Sequence, residues 1–280
     1  MKRLAIAVIH GIGSEKQFYS VELKHRITEE YIKGGEGRME EDLLFHEIYW
    51  GDLVRDDQSE LLDRADYKNE LAYKGIRNLF VDYLSTSLAY RTKGSRGFYD
   101  AVHARIKDSL RTFAAHRRID QESTPLVILA HSFGSVIMSN YIYDTRKRMA
   151  EGNDEGLSNF ESFKTMAGFV TFGSPLAVYY MQGGEFGEPI AKCGDELPDD
   201  LKKRTRWYNF YDKDDIVGYP LKGVNDAYKA AVDGDYEINV GGAATSWNPA
   251  CHNGYWEDKD FYKPVADYLG ELRAPHSFWQ

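Results

Sequence analysis

Residues 126–134 constrain the fold of this chain more than any other stretch, and their sequence is LVILAHSFG. Residues 126–129 follow Pro125 as a short apolar run, which is typical of a strand buried on both faces of a sheet. Ala130-His131-Ser132-Phe133-Gly134 come next, and the pattern from Val136 to about Met149 then predicts a helix. A buried strand that passes through a tight turn into a helix indicates an α/β protein with a mostly parallel sheet.

The turn has Ser132 at its apex and fits the nucleophile-elbow pattern G-x-S-x-G, with Ala130 in place of the first glycine and Gly134 as the second. In that turn the serine side chain projects above the sheet. Small residues are expected at positions 130 and 134, because the helix begins close to the strand. The pattern is short enough to occur by chance, so an ordinary strand-to-helix turn is the alternative.

A second loop of interest follows the first apolar run, 4–9, which we predict to be a core strand. Its sequence is His10-Gly11-Ile12-Gly13. A dinucleotide-binding loop, G-x-G-x-x-G, is disfavoured because Lys16 occupies the place of the third glycine. We favour an oxyanion loop, in which a turn aims a backbone N–H at the top of the sheet. A plain strand-to-helix turn is the remaining alternative.

Further runs complete a sheet of about six strands, with predicted strands at 43–50, 166–172, 206–211 and 236–240. Ser14 and Gln17 have the spacing of a capping box, and one apolar stripe of a helix follows them: Tyr19, Leu23, Ile27 and Tyr31. A last helix is predicted at about 259–272. Strands that alternate with helices predict a three-layer α/β/α architecture, and we expect residues 1–280 to form one domain.

Residues 52–122 are charged and mostly helical in pattern, and they contain no convincing strand. One apolar face comprises Leu79, Phe80, Tyr83, Leu84 and Leu88. A second stripe comprises Phe98, Val102, Ile106, Leu110 and Phe113. We predict a helical insertion, of which part is the crossover helix between two parallel strands and the rest can form a cap.

The composition limits the classes of partner. The formal net charge of −9 argues against nucleic acids and anionic membrane surfaces. The two cysteines, Cys193 and Cys251, do not form a disulfide framework. The apolar run near Met1 is shorter than a signal-peptide core, and no stretch reaches the roughly 20 apolar residues of a membrane span. We therefore expect a cytoplasmic protein with no transmembrane segment, and no metal or other cofactor.

A serine hydroxyl needs a base to become nucleophilic, and the base needs an orienting acid. Of the eight histidines, His252 follows the last predicted strand and is the best candidate for the base. The others lie in the two loops above, on predicted helix faces, within a strand or beyond the last helix: His10, His131, His25, His103, His116, His46 and His276. For the acid we favour Asp215, which precedes Ile216-Val217, over Asp212 and Asp214.

These segments together resemble an α/β-hydrolase-fold serine esterase of the lipase-like kind. The resemblance rests on the loop at 10–13, the elbow at 130–134, Thr171-Phe172-Gly173-Ser174-Pro175, Asp215-Ile216-Val217 with Pro220-Leu221, and His252. It spans nearly the whole chain apart from 52–122. The resemblance implies a catalytic triad of Ser132, His252 and Asp215, and an oxyanion hole formed by the backbone N–H groups of Ile12 and Phe133.

The expected activity is therefore hydrolysis of carboxylic esters through an acyl-enzyme. Aromatic and apolar residues near the site, among them Tyr179, Tyr180 and Met181, suggest an apolar, medium-chain or lipid-like ester as the small-molecule substrate. A thioesterase, an amidase or an acyltransferase with the same triad would have the same pattern. A non-catalytic binding scaffold is the alternative outside enzymes.

Overall fold

A computed structural model describes residues 3–13, 17–54, 74–90, 96–153, 156–179, 188–190, 193–241 and 249–273. Six strands form one sheet in the order β2-β1-β3-β4-β5-β6, and every neighbouring pair is parallel. The strands are β1 (Leu4–Ile9), β2 (Leu43–Ile48), β3 (Leu126–His131), β4 (Met166–Phe172), β5 (Arg206–Tyr211) and β6 (Gly234–Glu237). The prediction of an α/β fold with about six strands is confirmed.

Helices alternate with the strands along the chain. They are α1 (Val21–Lys33), α2 (Lys74–Ala89), α3 (Arg96–Ala114), α4 (Phe133–Ala150), α5 (Leu176–Tyr179), α6 (Asp199–Lys202), α7 (Asp226–Ala231) and α8 (Lys259–Arg273). A 3-10 segment, Pro249–Trp256, precedes α8. No helix in these described ranges combines the length and apolar character that crossing a membrane requires.

Alternate side chains of a strand point to opposite faces of the sheet. The central strands are buried on both faces because helices cover each of them. On one face, Ala7 and Ile128 belong to a core cluster that includes Val102 and Ile106 of α3 and Val136 of α4. On the other face, a second cluster joins strand residues with α1 and α8: Ile6, Val8, Val127, Leu129, Leu23, Ile27, Val265 and Leu269. The architecture is accordingly an α/β/α sandwich of three layers.

Within 52–122, the described residues form two α-helices and no strand. The α3 stripe is buried as expected at Val102, Ile106 and Leu110, and α3 packs against β2 and α4. On α2, Leu84 and Leu88 are 46% and 45% exposed. The side chains of Leu79 and Phe80 lie outside the described part.

The strand order reverses at β1, since β2 lies on one side of it and β3 on the other. At such a switch point the loops after two neighbouring strands run in opposite directions and leave a crevice at the carboxyl ends of the strands. The loop at 10–13 follows β1, and Ser132 follows β3. The two sequence motifs therefore meet at the place where parallel sheets bind ligands.

Several element boundaries differ from the predicted ones. β3 extends to His131 instead of residue 129, and α4 begins at Phe133 instead of Val136. Strand β2 ends at Ile48 instead of residue 50, β6 covers Gly234–Glu237 instead of 236–240, and α1 begins at Val21, after Tyr19. The capping box predicted from Ser14 lies partly outside the described residues. After β2, after β6 and before α1, a side chain from a distant element binds the backbone N–H groups concerned, as described below.

Candidate functional site

Ser132 adopts a backbone conformation that few residues other than glycine tolerate, with φ 50° and ψ −130°. It separates the last residue of β3 from the first residue of α4. Hydrogen bonds hold it on both sides. Its N–H donates to the carbonyl of Phe172 at 2.9 Å, and its carbonyl accepts from the hydroxyl of Ser135 at 2.6 Å. The sharp turn predicted from the sequence is present.

Two glycines allow the backbone to pass close to this turn. A Cβ added to Gly134 would overlap the carbonyl oxygen of His10. A Cβ added to Gly11 would lie 2.5 Å from Cβ and 2.9 Å from Oγ of Ser132. The loop at 10–13 therefore lies directly against the serine, and Ile12 follows the glycine that makes the contact.

The His10 side chain fixes that loop. Its Nε2 accepts the backbone N–H of Trp50 at 3.2 Å, so its Nδ1 carries the proton and donates to the carbonyl of Gly11 at 2.8 Å. Nε1 of Trp50 donates a second hydrogen bond, to the carbonyl of His10 at 3.0 Å. The two rings stack with centroids 5.1 Å apart. Burial lowers the pKa of His10 to about 4, which keeps the ring neutral.

His252 lies between Ser132 and Asp215. Its Nε2 is 2.8 Å from Oγ of Ser132. Its Nδ1 is 2.8 Å from Oδ2 and 3.0 Å from Oδ1 of Asp215. The three residues are 1%, 4% and 4% exposed for Ser132, Asp215 and His252. The structure thus brings together the serine, base and acid named from the sequence, in a buried hydrogen-bonded row.

The Asp215 carboxylate is surrounded by donors. Besides His252, Oδ1 accepts the N–H of Val217 at 2.9 Å and Oδ2 accepts the hydroxyl of Tyr255 at 3.0 Å. Burial raises the pKa of this carboxyl, but the hydrogen bond and charge of His252, with the two other donors, outweigh burial and hold the pKa below its usual value. The group is therefore an anion at neutral pH.

Asp212, the second candidate for the acid, has a different role. Its Oδ1 accepts the N–H of Asp214 at 2.8 Å, and its Oδ2 accepts the N–H of Val240 at 2.7 Å. Val240 follows β6, and His252 lies further along the same connection. Asp212 therefore ties the end of β5 to the segment that leads to His252. Asp214 is only half-buried.

Aromatic rings surround Phe133, the residue after Ser132. Tyr83 of α2 meets it edge to face at 6.1 Å, and Tyr179 does so at 5.8 Å. Tyr90, which follows α2, lies 5.4 Å from Phe133, and its carbonyl accepts the hydroxyl of Tyr179 at 2.9 Å. The cap candidate α2 is thus packed beside the turn. Of the three predicted substrate-binding residues, Tyr179 lies here, and Tyr180 and Met181 lie outside the described residues.

Sequence reasoning missed three residues that contact this site. Tyr255 lies three residues after His252, a spacing that places two side chains of a 3-10 turn on one side. His131 precedes Ser132, and its Nε2 donates to the carbonyl of His252 at 3.0 Å. Trp50 had no detectable signal, because its contact with His10 joins residues 40 positions apart.

The arrangement can move a proton from the serine hydroxyl to an imidazole that a carboxylate orients, which is the requirement for an activated oxygen nucleophile. In the part of the chain that the structure describes, no three His, Cys, Asp or Glu side chains are placed to share a metal ion.

The chain matches no protein-family model, and no curated protein is significantly similar to it.

Proposed function

We propose that this protein is a serine hydrolase of the α/β-hydrolase fold that cleaves carboxylic esters. The observation that carries the proposal is the 2.8 Å contact between Oγ of Ser132 and Nε2 of His252, with Asp215 at Nδ1 of the same ring. The serine is the apex of a sharp strand-to-helix turn at the switch point of the sheet. Hydroxyl, imidazole and carboxylate in this order match the nucleophile, base and orienting acid of acyl transfer.

In the proposed reaction, Ser132 attacks the ester carbonyl carbon while Nε2 of His252 takes the hydroxyl proton. His252 then gives that proton to the departing alcohol, which leaves an acyl group on Ser132. Water, deprotonated by His252, attacks the acyl-enzyme; the bond between the acyl carbon and Oγ of Ser132 breaks, His252 returns the proton to Oγ, and the acid is released. Asp215 stays ionised throughout and stabilises the imidazolium that forms in each half of the cycle.

The negative oxygen of the tetrahedral intermediate would be bound by the backbone N–H groups of Ile12 and Phe133. Phe133 is the first residue of α4, so no carbonyl of its own helix is available to its N–H. Gly11 touches Ser132, which keeps the adjoining Ile12 close to the reacting atoms. Each such donor is worth about 2.7–4 kcal/mol in the transition state.

The proposed substrate is an ester with an apolar, medium-chain or lipid-like group. Tyr83 and Tyr179 flank Phe133 beside the nucleophile, and α2 would act as a cap. A thioesterase or acyltransferase with the same residues, and a non-catalytic scaffold, are the alternatives. A cytoplasmic location is also proposed, because Cys193 and Cys251 are buried thiols. Fractionation of cells that express the tagged protein tests the location.

Hydrolysis of p-nitrophenyl esters from acetate to palmitate, with Ser132→Ala in parallel, tests the activity. We expect turnover by the wild-type protein and its near-complete loss in the variant, with one chain length preferred. Substantial turnover by Ser132→Ala would refute the proposal. Phosphonate labelling at Ser132 without ester turnover would indicate a thioester or amide substrate, and absence of both would favour the scaffold.

A further inference from the structure

Tyr255 connects the two aspartates that compete for the role of acid. Its hydroxyl oxygen accepts the backbone N–H of Asp212 at 2.8 Å and lies 3.0 Å from Oδ2 of Asp215. A phenol has one proton, and the carboxylate can only accept. The hydroxyl therefore donates to Asp215. The side chain is fully buried, so this is a fixed internal contact.

We propose that Tyr255 is a positioning residue for the proposed hydrolase reaction, acting through Asp215. The inference rests on the proposed function and adds a residue that the triad pattern does not contain. Apart from His252, the described donors to the Asp215 carboxylate are the N–H of Val217 on Oδ1 and Tyr255 on Oδ2. With both donors in place, the carboxylate cannot rotate about its terminal bond without breaking one of them.

The packing around the contact shows that it is built closely. A Cβ added to Gly218 would lie 2.7 Å from Oδ2 of Asp215 and 3.2 Å from the Tyr255 hydroxyl. A Cβ added to Gly173 would lie 3.0 Å from the Tyr255 ring and 3.2 Å from Oδ2 of Asp215. The phenol and the carboxylate fit here because these two positions have no side chain.

The other side of Tyr255 is fixed as well. The backbone N–H of Asp212 donates to the Tyr255 hydroxyl oxygen. Oδ2 of Asp212 in turn accepts the N–H of Val240 at 2.7 Å. The segments that follow β5 and β6 are therefore joined with Tyr255 and Asp215 in one chain of hydrogen bonds that continues to His252 and Ser132. Loss of the phenol oxygen would leave Oδ2 dependent on His252 alone, and the imidazole would be less well oriented.

A buried tyrosine also stabilises the fold, so the test needs a control with the same structural role away from the site. Tyr268 on α8 provides it. Its buried hydroxyl accepts the N–H of Arg206 at 3.0 Å and donates to the carbonyl of Ala167 at 2.6 Å. Both Tyr255→Phe and Tyr268→Phe remove one oxygen that bridges a backbone N–H and an acceptor.

We expect Tyr255→Phe to lower kcat by about 10- to 100-fold with KM unchanged, because it removes one hydrogen bond to a charged group that orients the base. Tyr268→Phe should leave kcat within about twofold while its unfolding midpoint in urea falls comparably. Equal kcat values for the two variants would overturn the proposal.

A double-mutant cycle with Asp215→Asn separates positioning from a general structural effect. If Tyr255 acts through Asp215, adding Tyr255→Phe to Asp215→Asn lowers kcat no further, since residues that act as a unit are not additive. Full additivity would overturn the proposal. Turnover retained by Ser132→Ala would refute the hydrolase function itself, whereas failure of the Tyr255 test alone leaves that function intact.

Discussion

The carbonyl oxygen of His252 accepts a hydrogen bond from Nε2 of His131 at 3.0 Å, so the residue before Ser132 holds the backbone of the histidine that contacts Ser132. The two imidazole centroids lie 4.9 Å apart. Burial, with the neighbouring His252, lowers the pKa of His131 to about 3. His131 is therefore neutral at pH 7, and its Nε2 carries the proton that is donated.

This contact predicts a catalytic effect of His131 that depends on its N–H group. His131→Phe keeps a ring but removes the donor, and we expect kcat for p-nitrophenyl esters to fall about tenfold at unchanged KM. His131→Gln places an amide N–H near the position of Nε2, so its kcat should fall less. Equal losses in the two variants would mean that ring packing, and not the hydrogen bond, is what matters.

The two aspartates are expected to differ in what they support. Asp215 affects mainly activity, and Asp212 affects mainly stability. Asp215→Asn removes the charge next to His252, and we expect kcat to fall by about 10³- to 10⁴-fold with little change in KM. Asp212→Asn has one acceptor oxygen for two backbone N–H groups, so it should lower the free energy of unfolding by about 1–3 kcal/mol. Its kcat should fall less than that of Asp215→Asn. The reverse order in kcat would make Asp212 the acid.

The parts of the site that could be predicted are those encoded by local pattern and chain order. The apolar run of β3, the small residues around Ser132 and the order serine, acid, histidine all follow from short segments. Parallel strands also bring their carboxyl ends to one edge of the sheet. The preference for Asp215 over Asp212 followed from its place before Ile216-Val217, and Asp215 is the aspartate that contacts His252.

The parts that could not be predicted depend on side chains that take backbone N–H groups from distant elements. Trp50 was expected to continue β2, but its N–H binds His10. Val240 was expected in β6, but its N–H binds Asp212. Before α1, Glu47 accepts the N–H of Phe18 at 2.8 Å, and it also accepts the N–H of Ser20. Each side chain competes with regular secondary structure for the backbone, and this competition is visible only after folding.

The contact between Gly11 and Ser132 predicts that the proposed oxyanion loop tolerates no side chain at this position. A Cβ at residue 11 would lie 2.9 Å from Oγ of Ser132. Gly11→Ala should therefore displace the loop and lower kcat by about 100-fold, because misplacement of reacting groups by about 1 Å has effects of that size. Gly223→Ala is the control, since a Cβ there meets no atom within 4 Å. Full activity of Gly11→Ala would exclude this loop from the site.

The packing of Tyr83 against Phe133 predicts that α2 influences substrate choice. Tyr83→Ala opens space beside the proposed nucleophile, and we expect kcat/KM for long-chain esters to rise relative to acetate. Leu84→Ala on the same helix is the control, because Leu84 is exposed. The measurement is the chain-length profile of each variant. An unchanged profile for Tyr83→Ala in a folded protein would contradict the role of α2 as a cap.

Two buried histidines and one half-buried histidine predict that the free energy of unfolding falls as the solution becomes mildly acidic. Burial lowers the pKa of His10 to about 4, and burial with Arg148 lowers that of His103 to about 4. His131 is lower still, at about 3. Because each folded-state pKa lies below the value of about 6.5 in an unfolded chain, the unfolded state binds protons first as the pH falls. We therefore expect the free energy of unfolding to have its full value above about pH 7 and to fall below that pH.

The expected size of this decline follows from linkage. Between pH 7 and pH 5 each histidine removes about 2 kcal/mol from the free energy of unfolding. His103→Gln provides the sharpest test, since its amide oxygen can still accept the Tyr90 hydroxyl that binds Nε2 of His103 at 2.8 Å. In urea titrations at pH 7, 6 and 5, this variant should lose about 2 kcal/mol less than the wild type, whereas His25→Gln, at an exposed position, should follow the wild type. A parallel decline in all three proteins would show that folding does not lower the pKa of His103.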